Sequence, residues 1–244
     1  RSGTIAVQTQ ALTVNQDAGS THSFSQWLPA VIHKDVPSKN ARWRSDVAVL
    51  NRSSQSASVT LTMHASAGPQ TMTFPLTGNA QALLDDVAGQ LGVTADSGPL
   101  EAVSDQDIFL TGRTYNQVDA THTYGQDYVG QAPSELLAAG HTAWLPELTE
   151  NASYRTNIGI TNTGTATASV TVTLYDTNGN TVGWSNTRSY APGEFFQYQQ
   201  PYLQVGGIDS GYAAVTVNSG SGIVAYASVV DQNTQDPTTI NMMR

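Results

Sequence analysis

The chain has 244 residues, a formal net charge of −9, only 12% charged residues and no cysteine. This excludes disulfide staples, thiolate metal sites and cysteine nucleophiles. It also argues against nucleic acid as a partner, because an acidic surface repels a phosphate backbone.

Lys34 and Lys39 are its only lysines, so Ser, Thr, Asn, Gln and Gly carry most of the polarity. That usage fits a secreted or cell-surface β-protein. No apolar run reaches the roughly 18 residues of a membrane helix, and no membrane insertion is expected. No signal peptide opens the chain at Arg1, so a leader is expected to have been removed or never included.

Residues 1–20 form an N-terminal strand segment. Ile5 and Val7 alternate on one parity and Leu12 and Val14 on the other, which predicts a break near Gln10. Such a strand either closes a sheet of its own molecule or adds to a neighbour's edge, with these four residues as the strand-donation candidates.

A first repeat covers 21–117 and a second 141–244. Trp27-Leu28-Pro29 is answered by Trp144-Leu145-Pro146, and Trp43–Met63 is written again, without a gap, as Tyr154–Leu174. The copies agree at Arg44/Arg155, Asn51/Asn162 and the run Ala57–Thr60/Ala168–Thr171, and differ conservatively at Asp46/Asn157. Self-similarity of this kind marks a duplicated unit. Each copy predicts an antiparallel hairpin around a polar loop. Val47, Val49, Val59, Leu61 and Met63 share its buried face in the first copy, and Ile158, Ile160, Val170, Val172 and Leu174 in the second.

In the first repeat, 71–76 follows as a strand, 79–91 as a short helix ending at Gly92, and 100–103 with 108–114 as a closing strand pair. The linker 118–140 predicts one helical turn from Ser134 to Gly140. In the second repeat, 212–217 and 223–230 close the domain, with Asp231-Gln232 answering Asn116-Gln117. Strands at short intervals throughout give an all-β fold class: two tandem immunoglobulin-like β-sandwich domains with an extra N-terminal strand.

Arg113-Thr114-Tyr115-Asn116-Gln117 followed by Thr123-Tyr124-Gly125-Gln126, together with the stretch Ala227–Thr238 and the W/Y-R-S/T-D/N opening of each copy, resembles a repeat of secreted bacterial proteins of mostly unassigned function. The resemblance implies an exported tandem β-sandwich protein, often an accessory or surface part of something larger, and it brings no catalytic residues with it. Gly125-Gln126 has no counterpart after the second repeat, which is therefore expected to be truncated or terminal.

Few residues carry recognisable chemistry. Asp176, Asn178 and Asn180 are spaced like calcium ligands, but Thr181 and Thr187 stand where an EF-hand needs Gly and Glu, and Asn178-Gly179 between strands is a turn signal. No cofactor is expected. The histidines show no ligand spacing, and no nucleophile-elbow motif exists. Asp85 and Asp86 are adjacent, which on a helix turns them about 100° apart. Glu147 and Glu150 sit in an exposed-looking loop.

Aromatic residues crowd one stretch: Trp184, Tyr190, Phe195, Phe196, Tyr198 and Tyr202. Exposed and coplanar rings there would form a sugar-stacking platform or a protein interface; Trp184, Tyr190, Phe196, Tyr198 and Tyr202 are the ligand or interface candidates. The expected function is a non-catalytic extracellular structural or adhesive protein. It would self-associate, in the sharper form into a filament by strand donation, or bind other cell-surface proteins. The alternative is a glycan-binding module built on the aromatic cluster.

Overall fold

The computed structural model describes residues 23–39, 41–119 and 121–244. The strand-donation candidates Ile5, Val7, Leu12 and Val14 lie outside them.

The first repeat contains β1 (Phe24–Val36), β2 (Ala41–Asn51), β3 (Ala57–Ala65), β4 (Gly68–Leu76), β5 (Gln81–Leu84), the single helical turn α1 (Val87–Gln90), β6 (Asp96–Ser104), β7 (Ile108–Gln117) and β8 (Thr123–Val129). A short connection holds a 3-10 turn at Pro133–Glu135 and the two-residue β9 (Leu137–Ala138). The second repeat contains β10 (Thr142–Glu150), β11 (Tyr154–Asn162), β12 (Ala168–Asp176), β13 (Thr181–Tyr190), β14 (Phe195–Gln199), a 3-10 turn at Pro201–Val205, β15 (Ile208–Ser219), β16 (Ser221–Asp231) and β17 (Pro237–Asn241).

Each repeat is a two-layer β-sandwich. In the second, one sheet runs β10-β15-β12-β13 and the other β14-β11-β16-β17, with β9 also on β16. In the first, the strand order β4-β3-β6-β1-β2-β7-β8 is continuous because β1 belongs to both layers. Phe24–His33 pairs with β6, the register shifts between Leu28 and Val31, and Lys34–Val36 then pairs with β2. An irregularity of this kind re-aims a strand and lets it turn a corner between sheets.

Several sequence expectations change here. The duplicated stretch is no hairpin: β2 pairs with β1, β5 and β7, whereas β3 pairs with β4 and β6. Its strands face each other from opposite layers, so Val47 and Val49 meet Val59, Leu61 and Met63 across the core. The closing pairs are likewise split, with β6 and β7 in different layers, and β15 and β16 also. The helix expected over 79–91 is a strand followed by one turn. The expected linker contains β8, paired with β7 from Thr111↔Val129 to Gln117↔Thr123, and no helical turn from Ser134 to Gly140. The second repeat is not short of a counterpart: β17 pairs with β16 as β8 pairs with β7.

Asn51 and Asn162 explain why the arch recurs. Both are fully buried at the end of the first strand of their copy. Asn51 donates to the carbonyls of Gln55 and Leu76, at 2.7 and 3.0 Å, and accepts from Ser53 N; Asn162 donates to Ala166 and Tyr190, at 2.9 and 2.8 Å, and accepts from Gly164 N. Each side chain thus bridges the crossover loop to the neighbouring strand and satisfies a buried carbonyl there, Leu76 O in one copy and Tyr190 O in the other.

The repeats are packed on each other rather than strung apart. Tyr226, on the outer face of β16, inserts among the buried side chains of the first repeat. Its ring meets Tyr128 edge-on, with centroids 5.1 Å apart, and stacks parallel to Phe195 at 6.4 Å. Room for it depends on Gly159, where an added Cβ would lie 2.2 Å from the Tyr226 ring. Hydrogen bonds from Thr161 Oγ1 to Pro29 O, Ser228 Oγ to Gln126 Oε1 and Thr239 Oγ1 to Asp127 O tie the two repeats together.

Candidate functional site

Beside the Tyr226 contact the repeats leave a groove of about 610 Å3, within the usual range for ligand pockets. The first repeat contributes the inner side of β1 and β2 where its sandwich opens, including Ile32, Lys34, Ala41 and Trp43. The second contributes the outer face of its β14-β11-β16-β17 sheet. There Arg155 and Asn157 project from β11, Gln199 stands directly across from Asn157 on β14, and Ser228 stands across on β16.

The alternation of β11 makes this face. Ile158 and Ile160 point into the core, so Arg155 and Asn157, of opposite parity, point away from it. Among the described residues, the Arg155 guanidinium has no carboxylate partner, and burial pushes its pKa down. The side chains of Asn157 and Gln199 make no hydrogen bonds to described residues, whereas Gln126 and Gln197 are engaged by Ser228 and Tyr226.

Among the described residues, one carboxylate lines the groove, Asp96. Burial raises its pKa, but hydrogen bonds from Ser66 and Ser97 outweigh that and hold it below 3.8. A pair of carboxyl groups about 5–10 Å apart is the usual requirement for glycoside hydrolysis, and the groove's lining does not supply one.

The same position in the first repeat is built differently. The duplicated stretch sets Asp46 against Asn157, and continuing the β2–β5 register past its last pair, Val47↔Leu84, sets Asp85 against Gln199 and Asp86 against Gln200. Asp86 and Gln200 even share a left-handed backbone, φ 47° and 49°, at the start of the following helical turn. Arg44, the counterpart of Arg155, lies 2.9 Å from Asp35 and 3.8 Å from Asp86. Asp86 also receives His33 Nδ1 at 2.8 Å, and Asp46 accepts from Tyr115 Oη and from Asp86 N. Burial and Asp46 together push the Tyr115 hydroxyl up to about 12. This network locks the β5–α1 corner against β1 and β2.

The aromatic cluster foreseen in the sequence is not an exposed, coplanar platform. Tyr190 and Tyr202 are fully buried, and Trp184, Phe196 and Tyr198 are half-buried against the second core. Tyr198 meets Trp184 at 86° and Phe196 at 79°. The Tyr202 hydroxyl donates to Tyr175 O and Tyr212 O, and Tyr190 and Tyr198 share a hydrogen bond. Trp184, Tyr190, Phe196, Tyr198 and Tyr202 therefore fill the second sandwich, whereas Phe195, on the opposite face of β14 beside Tyr226, lines the groove, where Phe196 also contributes.

The Asp176 loop is a turn. The Asp176 carboxylate accepts from Asn178 N and Asn180 N and from the Asn180 side chain, and these bonds hold its pKa down. Gly179 supplies the positive φ of 83° that the turn needs. Glu150, expected in an exposed loop, is 1% exposed and receives Tyr202 N and Leu203 N at 3.2 and 2.6 Å. Burial raises its pKa above 4.5 despite those bonds.

Sequence reasoning missed the groove because its walls come from strands far apart in the chain. The Asp46/Asn157 exchange was a readable signal. The Asp85-Asp86/Gln199-Gln200 exchange was not, since the segments between the aligned stretch and these residues differ in length.

No protein-family model and no curated protein matches the chain, so its family likeness stands on the motifs alone. Among solved structures it is similar to a protein of Parabacteroides distasonis ATCC 8503 described as a candidate secreted protein, at 7% identity over 98% of this chain and 84% of that one, with a TM-score of 0.23. It is also similar to a β-glucuronidase of glycoside hydrolase family 2, at 10% identity over 89% of this chain and 23% of that one, with a TM-score of 0.19. Overlap at this level brings neither protein's activity to the present chain, which rests on its own geometry: two fused all-β sandwiches enclosing a polar groove.

Proposed function

We propose that this chain is a non-catalytic, exported binding module that holds a saccharide in the groove between its two repeats. The observation that carries the reading is the lining itself. Trp43 and Phe195 offer aromatic surface for a sugar ring, and Asn157, Gln199 and Gln200 bring amides that both donate and accept hydrogen bonds. A ligand rich in hydroxyls matches that chemistry. Asp96, already held by Ser66 and Ser97, has no second carboxylate across the groove, which favours holding over cutting.

This reading relocates the glycan-binding expectation from the Trp184–Tyr202 cluster to the inter-repeat groove and keeps the adhesive role. It is tested on an oligosaccharide array with the intact chain and Trp43→Ala. The expected result is binding to a restricted set of glycans, reduced at least tenfold in the variant, with unchanged circular dichroism and no release of reducing ends. Binding untouched by Trp43→Ala, or an array without hits, would sink it.

A further inference from the structure

The two copies of the repeat differ systematically in charge around one retained arginine. Arg44 lies 3.8 Å from Asp86, with Asp46 two residues along its strand and Asp85 beside Asp86, whereas Arg155 lines the groove together with Asn157, Gln199 and Gln200. Three carboxylates have become three amides at register-equivalent positions, while the guanidinium stays. Arg44 has an ion pair with Asp35 at 2.9 Å; Arg155 has none among the described residues and faces the groove.

Partly burying a guanidinium without a counter-ion is unfavourable unless something supplies the charge. The planar fork of an arginine suits the two oxygens of a carboxylate, which it can bind with a pair of parallel hydrogen bonds. Among the described residues, the remaining charged groups lining the groove are Lys34 and Asp96, one of each sign. The surplus charge is therefore the positive one on Arg155. Asn157 lies two residues along β11 from Arg155, and Gln199 lies opposite it, so their uncommitted amides flank the position a carboxylate would take.

We propose that the groove selects a saccharide bearing a carboxylate, a uronic acid unit, and that Arg155 holds its acid group while Asn157 and Gln199 contact neighbouring hydroxyls. This rests on the saccharide-binding reading above. The amide substitutions are then what freed Arg155 for a ligand, since carboxylates at those places would both neutralise the arginine and repel the acid.

The test is isothermal titration of the intact chain with uronic-acid oligosaccharides, galacturonate and mannuronate trimers and a glucuronate-containing trimer, each beside its neutral counterpart. At least one uronate should bind tenfold or more tightly than its neutral partner, with the preference shrinking as salt rises. Arg155→Gln should erase the preference and leave neutral binding in place, and Arg155→Lys should recover part of it. The double variant Asn157→Asp, Gln199→Asp, which restores the first copy's charges, should weaken uronate binding more than neutral binding. Equal affinity for acidic and neutral sugars, unaffected by Arg155→Gln, would overturn the acid assignment while leaving the groove reading intact. Silence from both sets, with every protein folded by circular dichroism, would overturn both.

Discussion

Arg44 and Arg155 occupy the same place on the same strand of a duplicated fold, yet their surroundings are opposite. The first is itself well buried, its side chain only 11% exposed, but its carboxylate partners reach a solvent-facing rim, the side chains of Asp35 and Asp86 being 56% and 31% exposed. The second lies on the face that packs beside Tyr226 against the other repeat. On an open face, carboxylates around an arginine remain partly hydrated, and their pairing is cheap to maintain. On a covered face each additional carboxylate would lose water for which one arginine cannot compensate. Duplication thus preserved the backbone, down to the left-handed residue before each helical turn, while burial decided which side chains could keep their charge.

Five substitutions, in three comparisons, would break or sharpen that contrast. The largest effect is expected from Tyr226→Ala, which removes the ring that covers the second face. Truncating a large buried aromatic costs about 3–5 kcal/mol. Thermal unfolding should occur markedly earlier, and limited proteolysis should cut between Ala132 and Gly140. An unchanged midpoint would mean that the repeats are held together elsewhere.

Next come Asn51→Ala and Asn162→Ala, which probe what the two copies share. Each strands one buried carbonyl, Leu76 O or Tyr190 O, and frees a loop carbonyl at its crossover, a loss of about 2 kcal/mol. Urea unfolding should register similar penalties for the two variants. A penalty in one copy alone would show that the arch is not a common device.

The smallest effect separates the arginines themselves. Arg44→Ala should destabilise by about 1 kcal/mol or less at low salt, and less at high salt, because it releases Asp35 and Asp86 from a charge network. Arg155→Ala should change stability by only a few tenths of a kcal/mol, a typical size for a substitution that breaks no partnered contact. Equal losses would contradict the assignment of a structural role to one and a ligand-facing role to the other.

The alternation of Val47, Val49, Val59, Leu61 and Met63, and of their echoes, was enough to place them in a β-core, because in a strand the side chain's side is a local property of backbone period. The same alternation could not tell a hairpin from an arch. Both bury every second residue, and only the partner strands, β7 and β5 for one arm and β4 and β6 for the other, distinguish them. The aromatic cluster misled for a related reason. Composition located Trp184, Tyr190, Phe196, Tyr198 and Tyr202, but whether a ring is buried depends on what packs over it, and here much of that is the second core.

By itself, then, the sequence determined that two similar β-sandwiches would form and which residues would fill them, since periodicity and repetition are written along the chain. Tertiary structure decided which strands pair, that Tyr226 joins the first repeat's core, and that Arg155 faces a groove instead of a nest of acids. Those outcomes depend on contacts between residues far apart in the chain, such as Tyr128 with Tyr226 and Pro29 with Thr161, and no local pattern encodes them.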